Sequence, residues 1–420
     1  MRSDWRHYAG KCQPGDRGGR GFHRGIGRGV EPSGRSGGGR TGLWSAALGA
    51  LSALSLATSL AAAQEPALPP GLAGEAERNR SGESIEERSP SDQAMARASA
   101  AYVTGDYLSA RVHAERAAAA GEPRGATLVG HILLHGLSGT ADDTGAVRWL
   151  RRAGEQDDID ALIILASLAA ERRGGLEPFQ AREFLSQAAE TGDARAAFEY
   201  GAHLRDTGDP GVSHLALDWL RLAAEAGMPR AMAAYAAALD DWVHGPNDPA
   251  LARPWYIRAG EAGDAPSAAI AGIMLINGEG GDADEDAGRA MLRMAAEMGL
   301  PAAMGDYALL LMQDAESTGG DFHEAASWAR RGAEAGDAQA QFLYAGALAT
   351  GRGVLRNMEQ AYVWVRRAGY PGDNSLADDP QRDRLEAQLE ELFTHDTLAR
   401  LEAEANGGMT GRFRLNPAGD

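Results

Sequence analysis

The stretch Asn357-Met-Glu-Gln-Ala361-Tyr-Val-Trp364-Val-Arg-Arg-Ala368 holds the key to the rest of the chain. It opens on a residue whose side chain can cap a helix. Ala361, Trp364 and Ala368 then follow at spacings of three and four, which places them on one helical face. The same pattern returns upstream. Trp149, Phe184, Trp219, Trp255, Met291, Trp328 and Trp364 lie 35, 35, 36, 36, 37 and 36 residues apart, so five of the eight tryptophans share one repeat position. A fixed period of this size marks a stack of similar units, each burying its apolar face only against its neighbours.

Other columns keep the same period. Three residues before the Trp column stand Ala110, Ala146, Ala181, Ala216, Ala252, Gly288, Ala325 and Ala361. Seven before it stand the helix-capping residues Asp106, Asp142, Asp248, Asp284, Asp321 and Asn357. Eight after it stand Gly121, Gly192, Gly227, Gly263, Gly299, Gly336 and Gly372, suited to the left-handed residue that ends a helix; only the second copy departs, with Asp157. A second helix begins after each stop. It carries small residues nine past the Gly column (Gly130, Ala166, Gly201, Ala236, Gly272, Ala308, Ala345) and tyrosines eight past it in four copies (Tyr200, Tyr235, Tyr307, Tyr344). Small side chains let two helix axes approach, and large ones fill the remaining space. The expected fold is all-α: an α-solenoid of about eight antiparallel helix pairs over residues 91–372. A C-terminal capping helical segment is expected at 373–405, with Thr394 capping its last helix, and a flexible tail at 406–420. Pro254 falls inside a helix and should cost it a hydrogen bond. The Trp column is expected in the core, with Trp242 off-register in an exposed loop.

Gly351-Arg-Gly-Val-Leu-Arg-Asn-Met-Glu-Gln-Ala-Tyr-Val-Trp364-Val-Arg-Arg-Ala368 resembles a Sel1-like repeat, whose family pattern is roughly G-x-G-V-x-x-D-x-x-K-A-x-x-W-Y-x-K-A-A. Two features depart from it. The family's lysine is replaced, usually by Arg or Ala. The G-x-G-V loop is clear only in the last copy, and partial in Gly278-Glu-Gly280-Gly281. The first copy, Ala101-Tyr-Val-Thr-Gly-Asp-Tyr, has a short turn closer to a tetratricopeptide repeat. The resemblance implies a protein–protein interaction scaffold of the tetratricopeptide-related kind. It also implies that the first helix of each pair lines a concave groove. Positions seven and fourteen past the Gly column share one stripe of that groove and include Glu199, Asp206, Asp241, Asp306 and Gln313, so an acidic partner-binding stripe is expected there.

Residues 43–60 form an apolar run rich in Leu and Ala, followed by Ala61-Ala62-Ala63. A basic lead, an apolar core and an A-x-A site describe a secretory signal peptide, with cleavage expected after Ala63 and a periplasmic or secreted address. The other reading is an uncleaved anchor, which would be the chain's one tie to a membrane. The Gly/Arg-rich residues 1–42 resemble a nucleic-acid-binding segment. They precede the export signal and would be discarded with it, so no nucleic-acid partner is expected; a start at Val30 is the alternative. Residues 64–90, rich in Pro, Gly, Ser and Glu, read as a disordered linker. Residues 1–63 hold 9 of the 41 basic and 3 of the 59 acidic residues, leaving 32 against 56 and a net charge of −24 beyond them. Such a charge disfavours nucleic acid and anionic membrane and favours a protein partner with a basic patch.

The sequence offers little chemistry. Cys12 and Lys11, the one cysteine and the one lysine, both precede Ala63. The chain beyond therefore has no disulfide, thiol, Schiff-base lysine or Ser-x-x-Lys nucleophile. No pattern calls for a cofactor, and no enzyme is expected. His131 and His135 have the spacing of a metal pair but no third ligand nearby, and read as polar residues on a solvent face. Asp282-Ala-Asp284-Glu-Asp286 resembles a calcium loop, yet its sixth and twelfth positions are Ala287 and Arg293, so Asp284 reads as a helix start. Arg151-Arg152, Arg330-Arg331 and Arg366-Arg367 are expected to form a solvated basic stripe on the outer wall. The favoured function is an exported, non-catalytic adaptor in envelope signalling or in polysaccharide or surface assembly. The alternative is a cell-wall-fragment or β-lactam binder, or a hydrolase, which a nucleophile–base pair in a pocket would betray.

Overall fold

The computed structural model describes residues 68–70, 72–73, 89–241, 245–370 and 375–410. All of them fall within one contact unit, Leu43–Asp420. The expected signal peptide, its cleavage point at Ala63, Val30, Trp242, Gly372 and the tail from 411 onward lie outside the described residues.

Among the described residues the chain forms 18 helices and no strand. Eight consecutive pairs come first. They are α1 (Pro90–Val103) with α2 (Tyr107–Ala119), α3 (Pro123–Leu134) with α4 (Asp143–Gly154), α5 (Ile159–Ala170) with α6 (Phe179–Glu190), and α7 (Ala194–Asp206) with α8 (Ser213–Glu225). Then follow α9 (Pro229–Asp240) with α10 (Pro249–Glu261), α11 (Ala265–Asn277) with α12 (Glu285–Glu297), α13 (Pro301–Thr318) with α14 (His323–Ala335), and α15 (Ala338–Thr350) with α16 (Met358–Ala368). Two more helices, α17 (Pro380–Glu390) and α18 (His395–Thr410), close the chain. Each helix of the eight pairs packs on the next, and alternate helices also meet, as α7 does with both α5 and α9. Odd-numbered helices are called A helices below, and even-numbered ones B helices.

The helix starts follow from local chemistry. Asp106, Asp142, Asp248, Asp284 and Asn357 each accept a backbone N–H bond in the first turn of a B helix. Asp321 sits one residue too early: its carboxylate takes the His323 N–H at 2.9 Å, while Phe322 occupies the cap position of α14. A second capping column escapes the sequence reading. The residue directly after the Gly column starts every A helix from α3 to α15, and in Asp158, Asp193, Asp264 and Asp337 its carboxylate caps. The Gly column ends the B helices at positive φ, from 84° at Gly192 to 102° at Gly263. In the copy without glycine, Asp157 takes the left-handed conformation itself, at φ 57°, a role that Asp tolerates better than most residues.

The core differs in one respect from the expectation. The fully buried knob of each B helix is the residue after the Trp column: Leu150, Leu185, Leu220, Tyr256, Leu292, Ala329 and Val365 are all buried. Alanines three before and four after the column, such as Ala216 and Ala223, are buried beside them. The small A-helix residues are the holes. Gly130, Gly201 and Gly272 face Leu150, Leu220 and Leu292, with room for no more than hydrogen. Burying such a leucine stabilises the stack by about 1.5–3 kcal/mol. Trp328 is buried, but Trp149, Trp219, Trp255 and Trp364 are half-buried at the edge of this seam. Where a tyrosine stands in the same hairpin the indole meets it, edge to face in Tyr235–Trp255 at 5.3 Å, Tyr307–Trp328 at 5.7 Å and Tyr344–Trp364 at 5.9 Å, and tilted in Tyr200–Trp219 at 5.7 Å.

Both ends of the stack are covered. Within the stretch expected to be a disordered linker, Leu72 is buried and Leu68 half-buried against the first hairpins. At the other end Glu386 of α17, itself buried, accepts from Arg366 at 2.6 Å and pairs with Arg382 at 2.8 Å. Thr394 accepts the Thr397 N–H as expected, but α18 runs on to Thr410 rather than ending at Ala405. α10 continues through Pro254 as one helix.

Candidate functional site

The five residues expected to form a partner-binding stripe lie on or at the ends of A helices, but they are not alike. Asp206, at the end of α7, is exposed and paired with its neighbour Arg205 at 3.1 Å. Asp241 follows α9, and its carbonyl accepts the Gly245 N–H at 3.1 Å. Asp306 of α13 accepts from Gln339 Nε2 of α15 at 3.2 Å. Gln313 is half-buried further along α13. Glu199, in the middle of α7, is half-buried and makes no hydrogen bond or ion pair with any described residue. Burial pushes its carboxyl up from the usual range, against the pull of Arg230 and Arg195.

These positions do not make an acidic stripe. Seven past the Gly column the other copies hold Leu128, Ile164, Ala234, Ile270 and Leu343, so that column is mostly apolar, whereas fourteen past it they hold His135, Glu171, Asn277 and Thr350, a column that is polar throughout. Ile163, Ile164, Ser167, Ala202, Ala234, Ile273 and Leu309 stay half-exposed along the A helices. The face is thus an apolar, small-residue surface with charged groups set into it. Some of those groups tie neighbouring A helices together. Arg195 reaches Asp160, a buried carboxylate one repeat earlier, at 3.0 Å, and Thr127 donates to Asp158 at 2.8 Å. Such contacts fix the stagger between repeats, because removing one partner would strand a shielded polar group.

The opposite wall is built from B helices. The second arginine of each doublet folds back onto an indole, while Arg152 and Arg331 remain exposed as expected. Arg152, Arg331 and Arg367 lie over the indoles of Trp149, Trp328 and Trp364, at 5.6, 4.0 and 4.8 Å from the ring centroids, and Arg258 lies over Trp255 at 4.2 Å. A guanidinium three residues on is within reach of the ring one helical turn back, so the motif is local. Arg330 pairs with Glu334 at 2.8 Å, and Arg366 is held by Glu386. Only part of the expected basic stripe is therefore available to a partner.

His131 also corrects the sequence reading. It is 6% exposed, not on a solvent face, and its Nε2 shares a hydrogen bond with the Tyr102 hydroxyl at 3.0 Å. His135 is exposed beside it, with ring centroids 4.6 Å apart; burial and then Arg173 push its pKa below the ordinary value. The Tyr102–His131 bond thus joins α1 to α3. Asp284 caps α12 through the Ala287 N–H at 3.0 Å, as expected of a helix start. Among the described residues no helix is long and apolar enough to cross a membrane.

The loops between the A and B helices explain the family's glycines. Gly278, Gly280, Gly351 and Gly353 all have positive φ. The second glycine of each loop also presses on the previous repeat: a Cβ on Gly280 would strike the Pro249 carbonyl, and one on Gly353 the Phe322 carbonyl. Arg352 of the same loop lies over the Phe322 ring at 5.1 Å and is paired with Glu316. Val354 and Leu355 then border an open depression of 740 Å³ with Tyr344, Leu348, Asp321 and His323. His323 Nδ1 is bonded to the Gly353 carbonyl at 3.2 Å, so it is occupied as a structural link rather than poised beside a nucleophile.

The Sel1 repeat model matches residues 123–158, 194–228, 229–264, 265–300, 301–337 and 338–372. A solved protective antigen of uropathogenic Escherichia coli, displaying an SLR fold, is 22% identical; the match covers 84% of this chain and 80% of that one, with a TM-score of 0.57. A solved Sel1 repeat protein from Oxalobacter formigenes is 21% identical over 79% of this chain and 95% of its own, with a TM-score of 0.56. At this identity the likeness speaks for the fold. No curated protein matched the chain.

Proposed function

Since the chain belongs to the Sel1 repeat family, whose members are generally protein–protein interaction scaffolds, we propose that it is an exported, non-catalytic adaptor of the cell envelope. It acts in envelope signalling or in polysaccharide or surface assembly. The partner protein binds along the A-helix face. The observation that carries this reading is the run of half-exposed apolar residues on successive A helices, Ile164, Ala202, Ala234, Ile273 and Leu309, interrupted by the unpaired Glu199. Apolar positions of that kind, rimmed by charge, suit a protein surface better than a small polar solute. The net charge of −24 beyond residue 63 favours a partner with a basic patch. The export segment at 43–63 supports a periplasmic or secreted address.

Photocrosslinking residues placed at Ala202 and at Glu183, on opposite walls, test the reading in cells. The expected result is a discrete adduct in the envelope fraction from position 202 and none from 183. Adducts from 183 alone would refute the A-face assignment. Sequencing the N-terminus of the purified protein tests the address, with Gln64 as the expected first residue.

A further inference from the structure

On the A-helix face, Glu199 is a half-buried carboxylate left without a partner among the described residues. The repeat itself shows what a closed arrangement looks like. One A helix of α13 offers Asp306 seven residues past the Gly column, and the next, α15, answers with Gln339 three past its own, the two meeting at 3.2 Å. In α7 and α9 the equivalent positions are Glu199 and Arg230. Arg230 is exposed and forms no ion pair with it or with any other described residue. Arg195, the other nearby cation, is committed to Asp160 at 3.0 Å and Asp193 at 3.6 Å. The carboxylate therefore stands on a face flanked by Ile164 of α5, Ala202 of its own helix and Ala234 of α9, partly stripped of water and not repaid by a hydrogen bond.

We propose that Glu199 is the anchor for an arginine of the partner protein, whose guanidinium pairs with the carboxylate while small apolar side chains on either side of it settle against Ile164, Ala202 and Ala234. Arginine suits this place better than lysine, because its planar fork can engage both carboxylate oxygens at once and is more weakly hydrated. The inference rests on the A-face reading above and specifies the chemistry of the partner. An unpaired, half-buried carboxylate that destabilises the free protein is what a site kept open for an incoming cation would look like.

The test uses the purified full-length chain and a hexa-arginine peptide as probe, followed by calorimetric titration at two salt concentrations. Glu199→Gln is expected to weaken binding at least tenfold. Glu183→Gln, which removes an exposed carboxylate from α6 on the other wall, should weaken it less than twofold. A hexa-citrulline peptide, of the same shape without charge, should not bind. Without peptide, Glu199→Gln should raise the thermal midpoint. Equal losses in the two variants, absence of binding by the unaltered chain, or a fall in the midpoint of Glu199→Gln would each overturn the proposal. If position 202 still crosslinks to a partner while Glu199→Gln leaves the hexa-arginine affinity unchanged, the anchor fails and the face survives. If no A-helix position crosslinks, the face itself is wrong.

Discussion

Replacing Gly272 by alanine probes the packing rule on which the stack depends. Gly272 lies in the interior of α11, where alanine is intrinsically favoured over glycine by about 1 kcal/mol. A Cβ there would come to 2.8 Å from Leu292 Cγ, 2.9 Å from the Gly288 carbonyl oxygen and 3.1 Å from the Leu292 nitrogen. Two of those three atoms are backbone of α12, so a rotamer change cannot relieve them; the helices must move apart. Overpacking of this kind costs about 1–3 kcal/mol, which exceeds the propensity gain. Gly272→Ala should therefore destabilise by up to about 2 kcal/mol, whereas Gly407→Ala, on the exposed side of α18 with nothing within 4 Å, should be neutral or stabilise by up to about 1 kcal/mol. Leu292→Ala alone should cost about 2–5 kcal/mol, and the double variant should lose less than the sum of the two single ones. Urea denaturation gives the overall change. Hydrogen exchange in α11 and α12 localises it, since a stack of repeats opens piecewise. A stabilising Gly272→Ala, or strict additivity in the double variant, would refute the knob-and-hole account.

Three further outcomes follow from the structure. Gly353→Ala adds a Cβ at φ 71° against the Phe322 carbonyl, and should loosen the last A–B loop, read as faster exchange or proteolysis near residues 351–357. Asp337 is buried at the start of α15 and its carboxyl is pushed up to about 6, burial outweighing the Ala340 and Gln339 N–H bonds. The folded state thus holds that proton more tightly than the unfolded chain, so its stabilising contribution is present below about pH 4 and is lost as pH rises through about 6. Asp337→Asn should therefore match the unaltered protein near pH 4 and exceed it at pH 7, by about 3 kcal/mol at most, in denaturation midpoints taken across that window. Tyr102→Phe removes the bond to His131 and should cost about 1–2 kcal/mol, measured as loss of protection in α1 and α3 rather than in distant repeats.

The sequence carried far into this fold because a repeat states the same physical demand many times. One capping Asp is weak evidence of a helix start, but the column from Asp106 to Asn357 leaves little freedom, and only Asp321 falls a residue out of place. The column from Asp158 to Asp337 stands as plainly in the sequence, directly after the glycines, but a glycine alone already accounts for the break there. The tryptophans misled in a different way. Their size draws the eye to the Trp column as the core, yet the residue beside it is the one that fills the glycine holes.

The candidate site was less legible. The acidic stripe projected from the period divides into two columns: seven past the glycines the other copies hold Leu, Ile or Ala, while fourteen past them they hold His135, Glu171, Asn277 and Thr350. Of the acids that do occur there, Asp206, Asp306 and Glu171 are taken by Arg205, Gln339 and Arg173, Asp241 is engaged as well, and among the described residues Glu199 is left open. His131 looked like a surface residue until α1 brought Tyr102 onto it. Periodicity alone determined that these are paired helices, where they start and stop, and which face of each turns inward, because those depend on spacing within a single hairpin. Which charges are satisfied, which are stranded, and which side chains fill which holes depend on distances between residues some thirty positions apart, and only the stacking of one hairpin on the next decides them.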